Sequence, residues 1–105
     1  MRDRGTAVKQ VLIHPAALAE AETAERWYGE RSESAATEFL AEIDRALSAI
    51  TESPDRWPVY LASTRRFLLK RFPFAVVYRD LDSYIHIVAV AHGRRRPGYW
   101  KARAQ

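Results

Sequence analysis

The chain has 105 residues, 48% hydrophobic and 29% charged, which suits one compact domain (residues 1–105) and not a disordered segment. It holds no cysteine, so disulfides, cysteine nucleophiles and thiolate-ligated zinc are excluded. The formal net charge of +4 is unevenly spread: residues 1–64 carry 7 basic and 11 acidic side chains, residues 65–105 carry 10 and 2.

Such asymmetry points to a polyanionic partner or one with an acidic face; the simpler reading is a solvated basic surface. The opening "MRDRGTAVKQ" lacks the apolar core of a signal peptide, and no apolar run approaches the roughly 20 residues that span a bilayer. The expectation is a cytoplasmic protein without a membrane partner.

Residues 8–13, "VKQVLI", are apolar and β-branched and predict a first strand. Pro15 is placed to open a helix, in which Leu18, Ala21, Ala24 and Tyr28 recur at helical spacing and Gly29 weakens the far end. Ser34 is the expected cap of a second helix. Its apolar stripe runs through Ala36, Phe39, Leu40, Ile43, Ala46, Leu47 and Ile50, with Glu38, Glu42, Asp44 and Arg45 off it. The acids of both helices read as a solvated face, and Ser53-Pro54 stops the second helix.

"DRWPVYLAST" reads as a loop packed back onto the core. Three strand-like runs follow: "RRFLLKR", "FAVVYRD" and "YIHIVAVA". The last alternates, with Ile85, Ile87, Ala89 and Ala91 on one face and Tyr84, His86, Val88 and Val90 on the other. The order strand, helix, helix, three strands predicts an α+β fold. A helical hairpin covers a small, mainly antiparallel four-stranded sheet. The first strand can join an edge or pair centrally.

The chemistry concentrates in "AHGRRRPGYW". Arginine offers a planar fork of donors to phosphate or carboxylate. Aromatic rings can stack on bases, and a histidine can move protons. His92, Arg94, Arg95, Arg96, Tyr99 and Trp100 are therefore the candidates for binding RNA and for cutting it. Plainer roles are a backbone hydrogen bond for His92, a structural place for His86 in mid-strand, a cap or loop place for His14, and packing for Tyr99 and Trp100. No metal-ligand spacing, phosphate-cradling glycine loop or nucleophilic serine motif is present, so no cofactor or metal is expected.

The segment "RRFLLKRFPFAVVYRDLDSYIHIVAVAHGRRRPGYW" resembles the RelE/ParE superfamily of toxins from bacterial type II toxin–antitoxin, or plasmid-stabilisation, modules. The marks are Phe72-Pro73-Phe74, Tyr78, a strand ending "AVAHGRR", Pro97 and Tyr99-Trp100, and "VLIHPAALAEAETAERWYGERS" is similar to the family's first strand and helix. The resemblance covers roughly residues 8–103 and implies two helices on a small antiparallel sheet. In the family, the RelE-like branch cleaves mRNA at the ribosome without metal, and the ParE-like branch blocks DNA gyrase and need not be an enzyme.

For a ribonuclease, the resemblance implies His92 as base or acid and Arg66 and Arg95 as phosphate clamps, with Tyr99 or Trp100 near the family's catalytic tyrosine. For gyrase, it implies Arg94, Arg95, Arg96, Tyr99 and Trp100 as target contacts. Ala75 departs from the ribonucleases, which tend to carry arginine there, and this leans the reading toward ParE. A family member that has lost toxicity and only binds its partner fits Ala75 as well. Either active branch implies a cognate antitoxin in a hetero-oligomer, wrapping the toxin with an acidic or amphipathic segment and supplying the operator contact itself.

Overall fold

The computed structural model describes residues 9–104. In chain order these form β1 (Gln10–Ile13), α1 (Pro15–Gly29), α2 (Glu33–Glu52), β2 (Arg65–Leu68), β3 (Phe74–Asp80) and β4 (Tyr84–His92). Short 3-10 turns lie at Leu61–Ser63 and Lys101–Ala104. The expected α+β architecture stands: a helical hairpin covers one face of a four-stranded sheet ordered β1-β4-β3-β2. β1 takes an edge and runs parallel to β4, while the other pairs are antiparallel. Val8, expected in the first strand, lies outside the described residues.

Pro15 opens α1 at a position where no helical hydrogen bond is lost. The His14 imidazole caps the helix, its Nδ1 accepting from the Ala16 N–H at 3.0 Å. The helix buries Ala17 and Ala24, with Ala21 and Tyr28 packed beside them. Leu18 is a correction: it sits one residue, about 100° of rotation, off this stripe and is 48% exposed.

The cap of α2 is Ser32, not Ser34. The join between helices is short enough that α2 begins at Glu33, so the Ser32 hydroxyl accepts from the Ala35 N–H. Phe39, Ile43, Ala46 and Ile50 are buried as the periodicity demands, whereas Leu40 is exposed.

Phe72-Pro73-Phe74 is a packing motif. Both phenylalanines turn toward the helices and meet Tyr28 and Phe39, with Phe39–Phe72 and Phe39–Phe74 centroids 5.4 and 5.3 Å apart in edge-on contact. Such pairs contribute beyond their buried area.

Glu42 overturns the solvated reading of the helix acids. It is 6% exposed. One oxygen accepts the Lys70 and Arg71 backbone N–H groups and the other accepts Arg71 Nε at 3.1 Å. The carboxylate thus ties the β2–β3 turn to α2. Burial alone pushes its pKa up; the hydrogen bonds and charge of Arg71, with the Lys70 and Arg71 amides, outweigh this and hold it below the usual value.

Strict alternation fails in β4. Val77 pairs with Ala89 and Tyr78 with Ile87, so Val88 is an extra residue in a β-bulge. Ile85 and Ile87 face the helices; past the bulge, Val90 does so instead, and Ala89 and Ala91 turn to the open face.

Glu42→Gln should destabilise the chain by about 2 kcal/mol at neutral pH, because charge-assisted hydrogen bonds become neutral or unmade. Because the folded pKa lies below the unfolded one, the contribution of Glu42 is present above pH 4.5 and is lost as pH falls through the folded value. Urea unfolding at pH 7 and in acid should therefore show the variant and parent converging in acid. A gap that stays constant with pH contradicts the assignment.

Candidate functional site

The site is built where β4 ends. β1 pairs with β4 only from Tyr84 to Ile87, and the His14 N–H closes that ladder on the Ile87 carbonyl. Beyond it β4 has no strand neighbour on that side. Two side chains take the place of one: the Glu20 carboxylate accepts the Val90 N–H at 3.0 Å, and Arg103 donates to the Val88 carbonyl at 3.3 Å. Glu20 and Arg103 also pair bidentately, at 3.1 and 3.0 Å, and are both largely buried. Tyr99 completes the network by donating its hydroxyl to Glu20 at 2.7 Å.

These contacts hold a chain that reverses direction. The Gly93 N–H donates to the Pro73 carbonyl, and the Arg94 N–H donates to His92 Nδ1, so Arg94, Arg95 and Arg96 project from a tight exposed turn. Gly98 has φ +81°, a backbone region that disfavours L side chains, and brings the chain back over the sheet. Trp100 and Ala104 then pack on Val77, Val88 and Ala89 of the face the helices leave open.

A cleft forms on that face, with Ala75, Val77 and Ala91 in its lining and Arg66, Arg95 and Arg96 around it. The Arg66 guanidinium lies 4.1 Å over the Tyr60 ring, and Arg95 lies 3.8 Å over Tyr99. Among the described residues, no carboxylate lines the cleft. A second groove runs between α1 and the tail, with Trp27, Phe74 and Val90 among its apolar residues and Arg94 and Arg95 at its border.

Residues 11–97 match the family model described as the ParE toxin of the type II toxin–antitoxin system parDE. The chain belongs to the ParE toxin family. A comparison with curated proteins found no match. A solved structure titled the chromosomal ParDE TA system from P. aeruginosa is similar with a TM-score of 0.70 at 17% identity, over 81% of this chain and 96% of that one. At that identity the likeness is one of fold. No helix among the described residues is long and apolar enough to cross a membrane.

Of the residues singled out in the sequence, the structure brings Arg66, His92, Arg95, Arg96, Tyr99 and Trp100 to the same cleft. Arg94 is exposed and borders the groove. Two expectations are corrected. Trp100 is only 2% exposed and is a core residue of the open face, so it offers no surface to a target. His92 reaches the rim of the cleft, but it pairs with Phe74 and stands edge-on to that ring at 5.0 Å, on the helix side of the sheet. His86 is a structural residue of β4, with burial, His14 and Arg79 holding its pKa down.

Glu20, Arg103 and Tyr60 were not singled out. Glu20 looked like any helix-surface acid, and nothing in its local pattern shows partners 70 to 83 positions away.

Burial raises the Tyr99 phenol first, and the hydrogen bond to Glu20 and its charge raise it further, to about 12; Arg95 and Arg103 act in the opposite sense. Burial likewise raises Tyr78, whose hydroxyl donates to the Pro54 carbonyl, to about 12. These raised values contribute stability that is whole below pH 10 and lost as pH rises toward 12. An absorbance titration should show a late tyrosinate step near pH 12 coincident with unfolding. Tyr99→Phe should shrink that step, and an unchanged amplitude contradicts the burial of its hydroxyl.

Proposed function

We propose that this ParE-family chain is the toxin of a type II module that arrests growth by docking its basic cleft onto DNA gyrase, without cutting RNA. The observation that carries this reading is the composition of the cleft. It presents three arginines on an apolar lining, and Ala75 stands where a ribonuclease would set a further cation.

General acid–base cleavage needs a proton-transfer group within hydrogen-bond reach of the reacting oxygen. The groups on hand here suit it poorly. The imidazole of His92 is turned to Phe74 with Nδ1 engaged by the Arg94 N–H. The Tyr99 phenol is pushed up to about 12 and hydrogen-bonded to Glu20. A missing transition-state cation alone costs about 10²–10³ in rate. A ring of arginines without a base is suited to holding an anionic surface.

The same reading includes a cognate antitoxin in a hetero-oligomer with this chain. The groove beside α1 combines apolar Trp27, Phe74 and Val90 with Arg94 and Arg95, which suits an amphipathic acidic segment.

Expression without an antitoxin should arrest growth with filamentation and DNA-damage signalling, and a transcriptome-wide map of mRNA 5′ ends should show no new translation-dependent cuts. In-frame cuts within minutes of induction would instead establish a ribosome-dependent ribonuclease. No arrest would establish a chain that has lost its toxicity. Arg95→Glu should weaken gyrase inhibition by at least tenfold at low salt, with the deficit narrowing as ionic strength rises. His92→Ala should remain inhibitory.

A further inference from the structure

Arg95 stands on an exposed turn and forms no salt bridge among the described residues. A long side chain in that position ordinarily samples many rotamers, and each must be frozen when a target binds. Its guanidinium stacks on Tyr99, 3.8 Å from the ring centroid. The ring is fixed in turn by its hydroxyl, which donates 2.7 Å to Glu20. Glu20 is fixed by the sheet through the Val90 N–H and by both terminal nitrogens of Arg103.

We propose that Glu20 is a positioning residue: acting through Tyr99, it sets the place of Arg95 in the cleft and so how tightly the cleft holds its target. The inference rests on the docking role of Arg95 argued above. A carboxylate is required at this position. Every group facing Glu20 is a donor, and four bonds reach its two oxygens. Glutamine would turn an N–H₂ toward donors and could not satisfy them all. The route is specific to one side of the cleft, since Arg66 is stacked on Tyr60 and takes no part in it.

The test has two arms on the intact chain. The first is NMR of the arginine side-chain Nε–Hε groups. Stacking on a ring displaces these resonances, so Glu20→Gln and Tyr99→Phe should move Arg95 toward the free-arginine position and leave Arg66 in place. The second is inhibition of gyrase supercoiling on plasmid DNA. Arg95→Ala should weaken inhibition about tenfold, the size of one charge-assisted contact. Glu20→Gln should weaken it severalfold in the parent and in an Arg66→Ala background, but not further in an Arg95→Ala background.

An Arg95 resonance that stays put in both variants overturns the proposal. So does a Glu20→Gln effect that adds equally in the Arg95→Ala and Arg66→Ala backgrounds, since a general loss of structure behaves that way. Arg95→Ala as potent as the parent overturns the docking role of Arg95, and a parent without effect on gyrase overturns that target. In both cases the resonances alone decide the tether. If Glu20→Gln does not fold, Tyr99→Phe carries the same comparisons, having lost only the hydroxyl.

Discussion

β4 is longer than the strand beside it. From Ile85 to Ile87 it is paired on both sides, and past Ile87 its outer edge has only side chains to satisfy it. An unpaired strand edge at that depth leaves polar groups that must find partners. Glu20 comes down from α1 to meet the Val90 N–H, and Arg103 returns from the tail to meet the Val88 carbonyl. Each then neutralises the other. Removing either partner of such a largely buried pair costs about 3 kcal/mol or more, because the remaining charge is stranded. The position of the basic turn follows from this. It is the piece of chain between a strand that ends at His92 and an anchor at Arg103.

The bulge at Val88 decides which side chains share the cleft. A shift of one residue moves every later side chain to the opposite face of a sheet. With unbroken alternation, His92 would share the face of His86 and look toward Arg66 and Arg95. With the extra residue, Ala91 turns to the open face and His92 goes to the side of Phe74. Arg66, His92 and Arg95 still line one cleft, but the irregularity turns the His92 ring toward Phe74 at its rim. Bulges carry no reliable local signature, and "YIHIVAVA" reads as evenly apolar on both faces.

Other features were legible or hidden for equally physical reasons. Phe39, Ile43, Ala46 and Ile50 announce a buried helix face because four apolar residues in helical register have no other economical arrangement. β3 and the turn after it are bounded by Pro73 and by Asp80–Ser83, residues whose backbone preferences act locally. Glu42 and Glu20 were misread because their environment is made elsewhere in the chain. The partners of Glu42 lie at Lys70 and Arg71, and those of Glu20 lie at Val90, Tyr99 and Arg103. An acid among helix-surface acids looks solvated until the tertiary fold brings donors to it. Trp100 was misread in the reverse sense: an aromatic residue beside arginines suggested a stacking surface, but the return of the chain at Gly98 lays the indole against Val77, Val88 and Ala89.

The charge division of the sequence takes on a spatial meaning here. Of the acids in the first part of the chain, Glu20 and Glu42 are drawn inward, where each secures a segment of the basic second part. Arg71 and Arg103 are consumed in that way, as structural cations. Arg66, Arg95 and Arg96 remain at the cleft, two of them held over aromatic rings instead of against carboxylates. A cation on a ring is ordered without being neutralised, so its field stays available to an approaching anion. Pairing the same arginines with acids would have ordered them equally well and cancelled that field. Tyr60 and Tyr99 order Arg66 and Arg95 at the cleft without cancelling their charge, whereas Arg71 and Arg103 are paired with the carboxylates that secure the fold.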